Sequence, residues 1–473
     1  MRINRNKSIK CILVLAIISI YIPIILYHRY DIASNYLIKT VCLSSLAIYV
    51  FEIWQIYSLT EKIFTPTNLF LGVYYIFQNG QLLLLALGIK FDTFYINTLK
   101  EYMMPVVAFS AISNVIAGYV ALLTAVPLQK EMIKEYHRKI DFIPDKFIVT
   151  VARIGFFITG AISIVLILIK IRYSLSGGYD AVRRFEDYIP SIINLCEYMF
   201  MPFAILLISY SETHKSAMVR NVIIIWAVLT ALCGDRTTGI GALVTIIYLI
   251  YTQQHNVNEK LGKKIISFIF LVLAGILLTV FIQVAYSFRT KGSMDISSIY
   301  KLIVNTISDL GFSYFPLFTT MGIVPGTEKF LLGKGYVLSF IGGFIPAFID
   351  VTGTISKINS QSRIFEVWQS KYYSQYSFGL GYSLNAEAYT NFGWYGLIAL
   401  GVILLVIFKL LNSFNPQNKK DKWGCYRTSI LIFFWFTLPR RDSYYIWKAI
   451  SYSLILMQIY ILTMRNVLRK YKY

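Results

Sequence analysis

Unbroken apolar runs of about 15–23 residues recur along this chain, and nothing else in the sequence limits its fold so strongly. About 20 apolar residues in an α-helix cross the hydrocarbon of a bilayer. Lipid offers no partner to backbone N–H and C=O groups, so only helices and closed barrels span it. The runs do not alternate apolar with polar, as barrel strands do. Composition agrees: of 473 residues, 56% are hydrophobic and only 15% charged, and the mean hydropathy is +0.59. A soluble domain carries about 25% charged residues.

The runs predict an all-α polytopic membrane protein with about twelve transmembrane helices in a single membrane domain spanning 1–473. They fall near residues 11–27, 41–58, 69–88, 103–126, 147–169, 192–209, 218–234, 237–252, 265–287, 393–410, 425–439 and 444–464. The basic N-terminus MRINRNKSIK leads into an apolar stretch without a small-residue cleavage site, so the first run is expected to stay as a helix rather than leave as a signal peptide.

Net charge is +21. In a soluble chain that excess would suggest nucleic acid. Here Lys and Arg concentrate in short loops, and no nucleic-acid partner is expected. With both termini cytoplasmic, inside segments carry about one Lys or Arg per four residues and outside segments about one per eight. That asymmetry favours an even number of crossings, in a bacterial inner membrane.

The five cysteines, Cys11, Cys42, Cys196, Cys233 and Cys425, lie in or beside apolar runs without CxxC spacing. They read as small buried residues, with no zinc site and no disulfide framework. His137, His214 and His255 fall in expected cytoplasmic loops, and only His28 lies outside. No metal or cofactor motif is present, and none is expected. Glu52 and Glu197 sit within apolar runs, where a charge is costly and is either paired or functional.

Between the ninth and tenth helices runs a large outer loop, 288–392. Ile296, Ile299, Ile303, Ile307 and Leu310 are spaced by three and four, which predicts an amphipathic helix. YVLSFIGGFIPAFID is too short to span and reads as a helix at the interface. Tyr300, Tyr314, Phe315, Trp368, Tyr372, Tyr373 and Tyr376 supply aromatic belts or sugar-stacking platforms.

The outward arginines are mild exceptions to the positive-inside bias. They are Arg172, Arg183 and Arg184 in IRYSLSGGYDAVRR, Arg236 in GDRTTG, Arg289, Arg363, and Arg440 and Arg441 in LPRRDSYY. Converging, they would form a cationic pocket suited to a lipid-linked diphosphate, because guanidinium binds phosphate bidentately and keeps its charge. Headgroup snorkelling is the ordinary alternative, and Arg236 has Asp235 beside it as a local partner. A second group lies in FGLGYSLNAEAYTNFGWYGL, residues 378–397, where Asn385, Glu387 and Asn391 stand at the mouth of the membrane among glycines. A carboxylate there can serve as a general base toward a sugar hydroxyl, or pair with an arginine and hold the fold.

These motifs resemble those of the O-antigen polysaccharide polymerases, the Wzy-type enzymes. Glu387, Tyr389, Asn391, Phe392 and Gly393 match an acidic residue and an aromatic followed by an Asn-Phe-Gly stop. GDRTTG resembles the family's Gly-x-Arg turn, and GGY at 177–179 with Arg183 and Arg184 is also similar. The resemblance implies a GT-C-like helical glycosyltransferase that joins oligosaccharide repeats held on undecaprenyl diphosphate, with inversion and without a metal. It implies that Arg236 acts with Arg440 or Arg441 on the diphosphate, helped by Arg183, Arg184 or Arg289. Glu387 would orient or deprotonate the acceptor, with Tyr389 and Asn391 as further substrate-binding residues. Expected partners are the lipid-linked donor and acceptor, membrane lipids and a chain-length regulator. A flippase would have shorter loops and two related halves. An O-antigen ligase would carry a loop histidine, which this loop lacks.

Overall fold

A computed structural model describes residues 35–60, 65–91, 103–125, 143–186, 188–211, 216–254, 280, 299–345, 353–374, 381–414 and 421–470. Among them there is helix and no strand. Ten of the twelve expected crossings carry a described helix, whereas 11–27 and nearly all of 265–287 lie outside the described residues. Among the described residues seven helical stretches are long and apolar enough to cross a membrane, and Ala217–Leu232 and Thr237–Thr252 are shorter apolar helices. The chain is therefore an integral membrane protein of polytopic, all-helical build.

The helices are α1 (Asn35–Thr60), α2 (Pro66–Ala86), α3 (Met103–Ala125), α4 (Asp145–Gly177), α5 (Tyr179–Glu186), α6 (Ser191–Tyr210), α7 (Ala217–Leu232) and α8 (Arg236–Gln254). After these come α9 (Ile299–Gly311), α10 (Phe315–Ile323), α11 (Lys334–Phe344), α12 (Thr354–Ser362) and α13 (Ile364–Tyr372). The last are α14 (Leu384–Phe392), α15 (Gly396–Leu411), α16 (Lys422–Trp435), α17 (Tyr444–Lys448) and α18 (Leu456–Lys470), with a π-helical stretch at Ala449–Ile455 joining the final pair. One group packs α1, α2 and α15 around the deeply buried α3, and a second packs α4, α6, α7, α8 and α16.

Local chemistry sets the ends. Thr65 caps α2 by accepting from the Asn68 N–H at 3.1 Å, with Pro66 in the first turn, where its missing N–H costs nothing. Ser383 caps α14 by accepting from the Ala386 N–H at 3.2 Å. The Asn-Phe-Gly stop works as its sequence suggests. Gly393 has φ +59°, and a Cβ there would also meet the Phe330 ring at 2.9 Å. The chain turns at that point and continues into α15.

The amphipathic loop helix forms, as α9, and lies against α2. Gln81 Nε2 donates to the Ser308 carbonyl at 2.9 Å. Its buried side follows the spacing only in part: Ile307 lies against Gly80 of α2 and Leu310 packs on the core. Leu302, Val304 and Thr306 are buried while Ile303 is 37% exposed. The interface helix forms as α11. Its Gly342–Gly343 pair sits where a side chain would collide: a Cβ on Gly343 would lie 2.5 Å from the Tyr444 carbonyl oxygen. α11 therefore lies directly on α17.

Candidate functional site

Several helix ends converge on a cavity of about 420 Å³. α4, α5 and α6 supply Lys170, Glu186, Asn194, Glu197 and Tyr198, and the α7–α8 turn supplies Asp235, Thr237 and Thr238. A second wall, from the end of α16 through α17, supplies Phe433, Phe434, Arg441, Tyr445 and Lys448 and meets the first where Tyr198 stacks on Phe434 at 4.5 Å. Acids, cations and aromatic rings thus share one chamber.

The α4–α6 wall is internally ion-paired. Lys170 Nζ lies 2.8 Å from Glu186 Oε1, and donates to Glu197 Oε1 at 2.8 Å and to Oε2 at 3.1 Å. One ammonium thus binds α4 to the end of α5 and the start of α6. Glu197, set within an apolar run, is a paired carboxylate. Its neighbour Glu186 keeps 44% of its side chain exposed.

Asp235 is the N-cap of α8. Its Oδ1 accepts from the Thr237 hydroxyl at 2.9 Å and the Thr238 N–H at 3.2 Å, and its Oδ2 accepts from the Thr238 hydroxyl at 2.6 Å. A negative charge also suits a helix N-terminus.

Cations predominate on the other wall. Arg441 stacks over the Tyr445 ring at 4.2 Å. Arg363, from the loop, reaches the Tyr445 hydroxyl at 3.4 Å and stands 5.5 Å from the Tyr444 ring centroid. Lys448 lies among three rings, those of Tyr198, Tyr452 and Tyr444, at 5.2, 5.6 and 5.9 Å. Asp442 is buried in the same turn. Burial pushes its carboxyl up to about 6, against the pull of the nearby Arg363 guanidinium.

Glu387 stands behind this wall rather than in it. It is 2% exposed and does not line the cavity. Its Oε2 accepts from the Ser443 N–H at 2.7 Å, and its Oε1 accepts from the Ser443 hydroxyl at 2.7 Å and from Ser339 at 3.4 Å. The carboxylate ties α14 to the turn that carries Arg441 and Asp442. From α2, Gln78 Nε2 supports the same turn by donating to the Pro439 carbonyl at 2.6 Å.

The other signature residues also face inward. Tyr389 is 8% exposed, its ring edge-on to Phe109 at 5.7 Å and to Phe330 at 6.0 Å. Asn391 donates to the Glu387 carbonyl at 2.9 Å and accepts from the Gly335 N–H at 3.1 Å, fastening α11 to α14. Asn385 bridges Tyr74 at 2.6 Å and Ser113 at 3.0 Å.

Of the candidate arginines, Arg441 alone has a described side chain in the cavity lining. Arg440 sits in the adjoining 3-10 turn, and Arg184 is exposed on α5. Arg236 begins α8 and Arg183 belongs to α5, but the side chains of both lie outside the described residues, as does Arg289 entirely. Lys448, Lys170 and Glu186 were not singled out by sequence. A signal for Lys448 was present: Tyr444, Lys448 and Tyr452 are spaced by four, which puts one cation between two rings on one helical face. Lys170 and Glu186 meet only through the fold. Among the described residues no cluster of three His, Cys, Asp or Glu side chains is arranged to hold a metal ion.

No significant match is found among curated proteins or among solved structures. The profile of the family described as O-antigen polysaccharide polymerase Wzy matches residues 8–472, nearly the whole chain, and covers both walls of the cavity and the turn behind them. This chain is therefore a member of the Wzy O-antigen polysaccharide polymerase family.

Proposed function

We propose that the protein joins oligosaccharide repeats carried on undecaprenyl diphosphate, at the outer face of a bacterial inner membrane and with both termini cytoplasmic. The observation that carries this reading is the mixed lining of one cavity: the Lys170–Glu186–Glu197 cluster and the cationic, aromatic group at Arg441, Tyr445 and Lys448 border the same chamber. Glycosyl transfer from a lipid diphosphate needs both. The leaving diphosphate gains negative charge and needs fixed cations, while the attacking hydroxyl must lose a proton.

In this reading an acceptor hydroxyl oxygen attacks the anomeric carbon of the donor. A carbon–oxygen bond forms as the bond from that carbon to the phosphate oxygen breaks. The electron pair leaves with undecaprenyl diphosphate, the anomeric configuration inverts, and the hydroxyl proton passes to Glu186. Glu186 is preferred on geometry: Asp235 is occupied as a helix cap, Glu197 is bound through both oxygens, and Glu387 is sealed behind the wall. Glu387 becomes a positioning residue that fixes Ser443 and hence Arg441. Arg441 faces the diphosphate. Arg236, Arg183 and Arg289 remain proposed contributors to the same pocket, and a chain-length regulator remains a proposed partner.

Disrupting the gene and separating the surface polysaccharide on a gel tests the reading. A single-repeat band in place of the ladder is expected. An unchanged ladder contradicts polymerisation, and trapped lipid-linked repeats with no surface product would indicate transport instead.

A further inference from the structure

Lys448 is a second cation in the cavity wall, and its surroundings differ from those of every other charge there. It enters one turn after the loop-end turn, on α17, immediately before the π-helical stretch. Such stretches interrupt the regular ladder and recur at functional sites. Side-chain bonds hold the stretch: Tyr426 donates to its Ser453 carbonyl at 2.5 Å, and its own Ser451 hydroxyl donates to the Phe344 carbonyl of α11 at 2.6 Å. The irregular segment is thus fixed in place with Lys448 at its head.

Among the described residues no carboxylate comes within ion-pair distance of Lys448, whereas Lys170 in the same lining has two at 2.8 Å. Tyrosine faces surround its ammonium instead. Ring faces hold a cation in place without cancelling its charge. The field of Lys448 is therefore left for whatever occupies the chamber, alongside that of Arg441. Preorganised, partly desolvated charge of this kind acts strongly on negative charge that develops during a reaction.

We infer that Lys448 is a catalytic residue that binds a phosphoryl oxyanion of the lipid-linked donor and stabilises the diphosphate as it departs. The inference rests on the polymerase reading and adds to it a residue outside the motifs that carry the resemblance. Lysine suits the task as a compact point charge, whereas Arg441 offers a fixed fork. The two together can hold two phosphoryl groups.

The test uses the full chain in nanodiscs, with lipid-linked repeat as substrate and inorganic diphosphate as competing anion. Lys448→Met is expected to lower turnover roughly 100-fold while the protein melts as wild type does. It is expected to weaken inhibition by diphosphate about tenfold. Lys448→Arg should recover most of both. A folded Lys448→Met protein with normal turnover, or with unchanged inhibition, overturns the inference. Inhibition that follows the anionic phospholipid content of the disc, and is lost in Lys448→Met, assigns the site to a lipid headgroup and also overturns it. If Lys448→Met does not accumulate, Tyr198→Leu decides, because it opens the cage and keeps the charge: several-fold weaker inhibition supports the inference, and unchanged inhibition overturns it. Failure of the polymerase reading looks different, since wild-type protein would then extend no chains.

Discussion

Two lysines face one chamber, and their settings are opposite. Lys170 is bound by Glu186 and Glu197 and knits three helices together. Lys448 is held by tyrosine rings, with no carboxylate in ion-pair distance among the described residues. The first arrangement spends a cation on structure, since breaking a buried pair leaves a partner charge stranded. The second leaves a cation poised for a ligand. A charge count over the cavity would not separate them, because what matters is which charges are already satisfied.

Exchanging the two roles by mutation is the sharpest way to break that contrast. Glu186→Gln and Lys448→Met carry the largest expected effects, each about 100-fold on turnover with little change in melting. In vitro chain extension per folded molecule measures both. Next comes Lys170→Met, which should act on stability. It strands Glu197 and costs roughly 3 kcal/mol, the low end for a broken buried pair because Glu186 is partly solvated. A melting temperature lower by several degrees, with turnover of the surviving folded protein within a few-fold of wild type once Glu186 is accounted for, would sustain the contrast. If Lys170→Met and Lys448→Met behave alike, the contrast fails.

Glu387→Gln should be intermediate, about tenfold on turnover, since the Ser443 N–H keeps an acceptor but the Ser443 hydroxyl loses one. A Michaelis constant for the donor that rises more than turnover falls would mark positioning. A thousandfold collapse in turnover alone would return Glu387 to the chemistry. The smallest effect concerns Asp442. Its carboxyl is raised to about 6, so the fold favours the neutral acid and ionisation is complete only above that value. Below pH 6 the neighbouring Arg441 and Arg363 lose an opposing charge, while a diphosphate diester keeps its own. Affinity for donor should therefore improve a few-fold between pH 7.5 and 5.5, and Asp442→Asn should flatten that dependence in a titration of the Michaelis constant.

Much of the architecture is legible in the sequence because hydrocarbon thickness and turn chemistry are local constraints. Runs of apolar residues mark the crossings, the Asn-Phe-Gly stop ends α14 where a positive φ is required, and GDRTTG turns α7 into α8 with Asp235 as its cap. The site is less legible because burial within a bundle is decided by neighbours far along the chain. Glu387, Tyr389 and Asn391 stand at the mouth of a crossing and look available. In the fold they turn toward Ser443, Phe109 and Gly335, which lie tens to hundreds of residues away. Ile303 carries the helical spacing and still faces outward, while Thr306 faces in. Near lipid an exposed isoleucine costs little, so hydrophobic spacing there is a weaker guide to the buried side. Lys170 and Glu186 are sixteen positions apart on different helices, and no local pattern joins them.

The most direct test of the cavity as the reaction site is photo-crosslinking with a lipid-linked repeat that carries a photoreactive group beside its diphosphate, followed by peptide mapping. The account predicts labelling within 433–448, with the second wall at 186–198 labelled when the group is moved to the acceptor sugar. Labelling confined to 384–392, with both walls untouched, would contradict it and place the chemistry at the Glu387 signature itself.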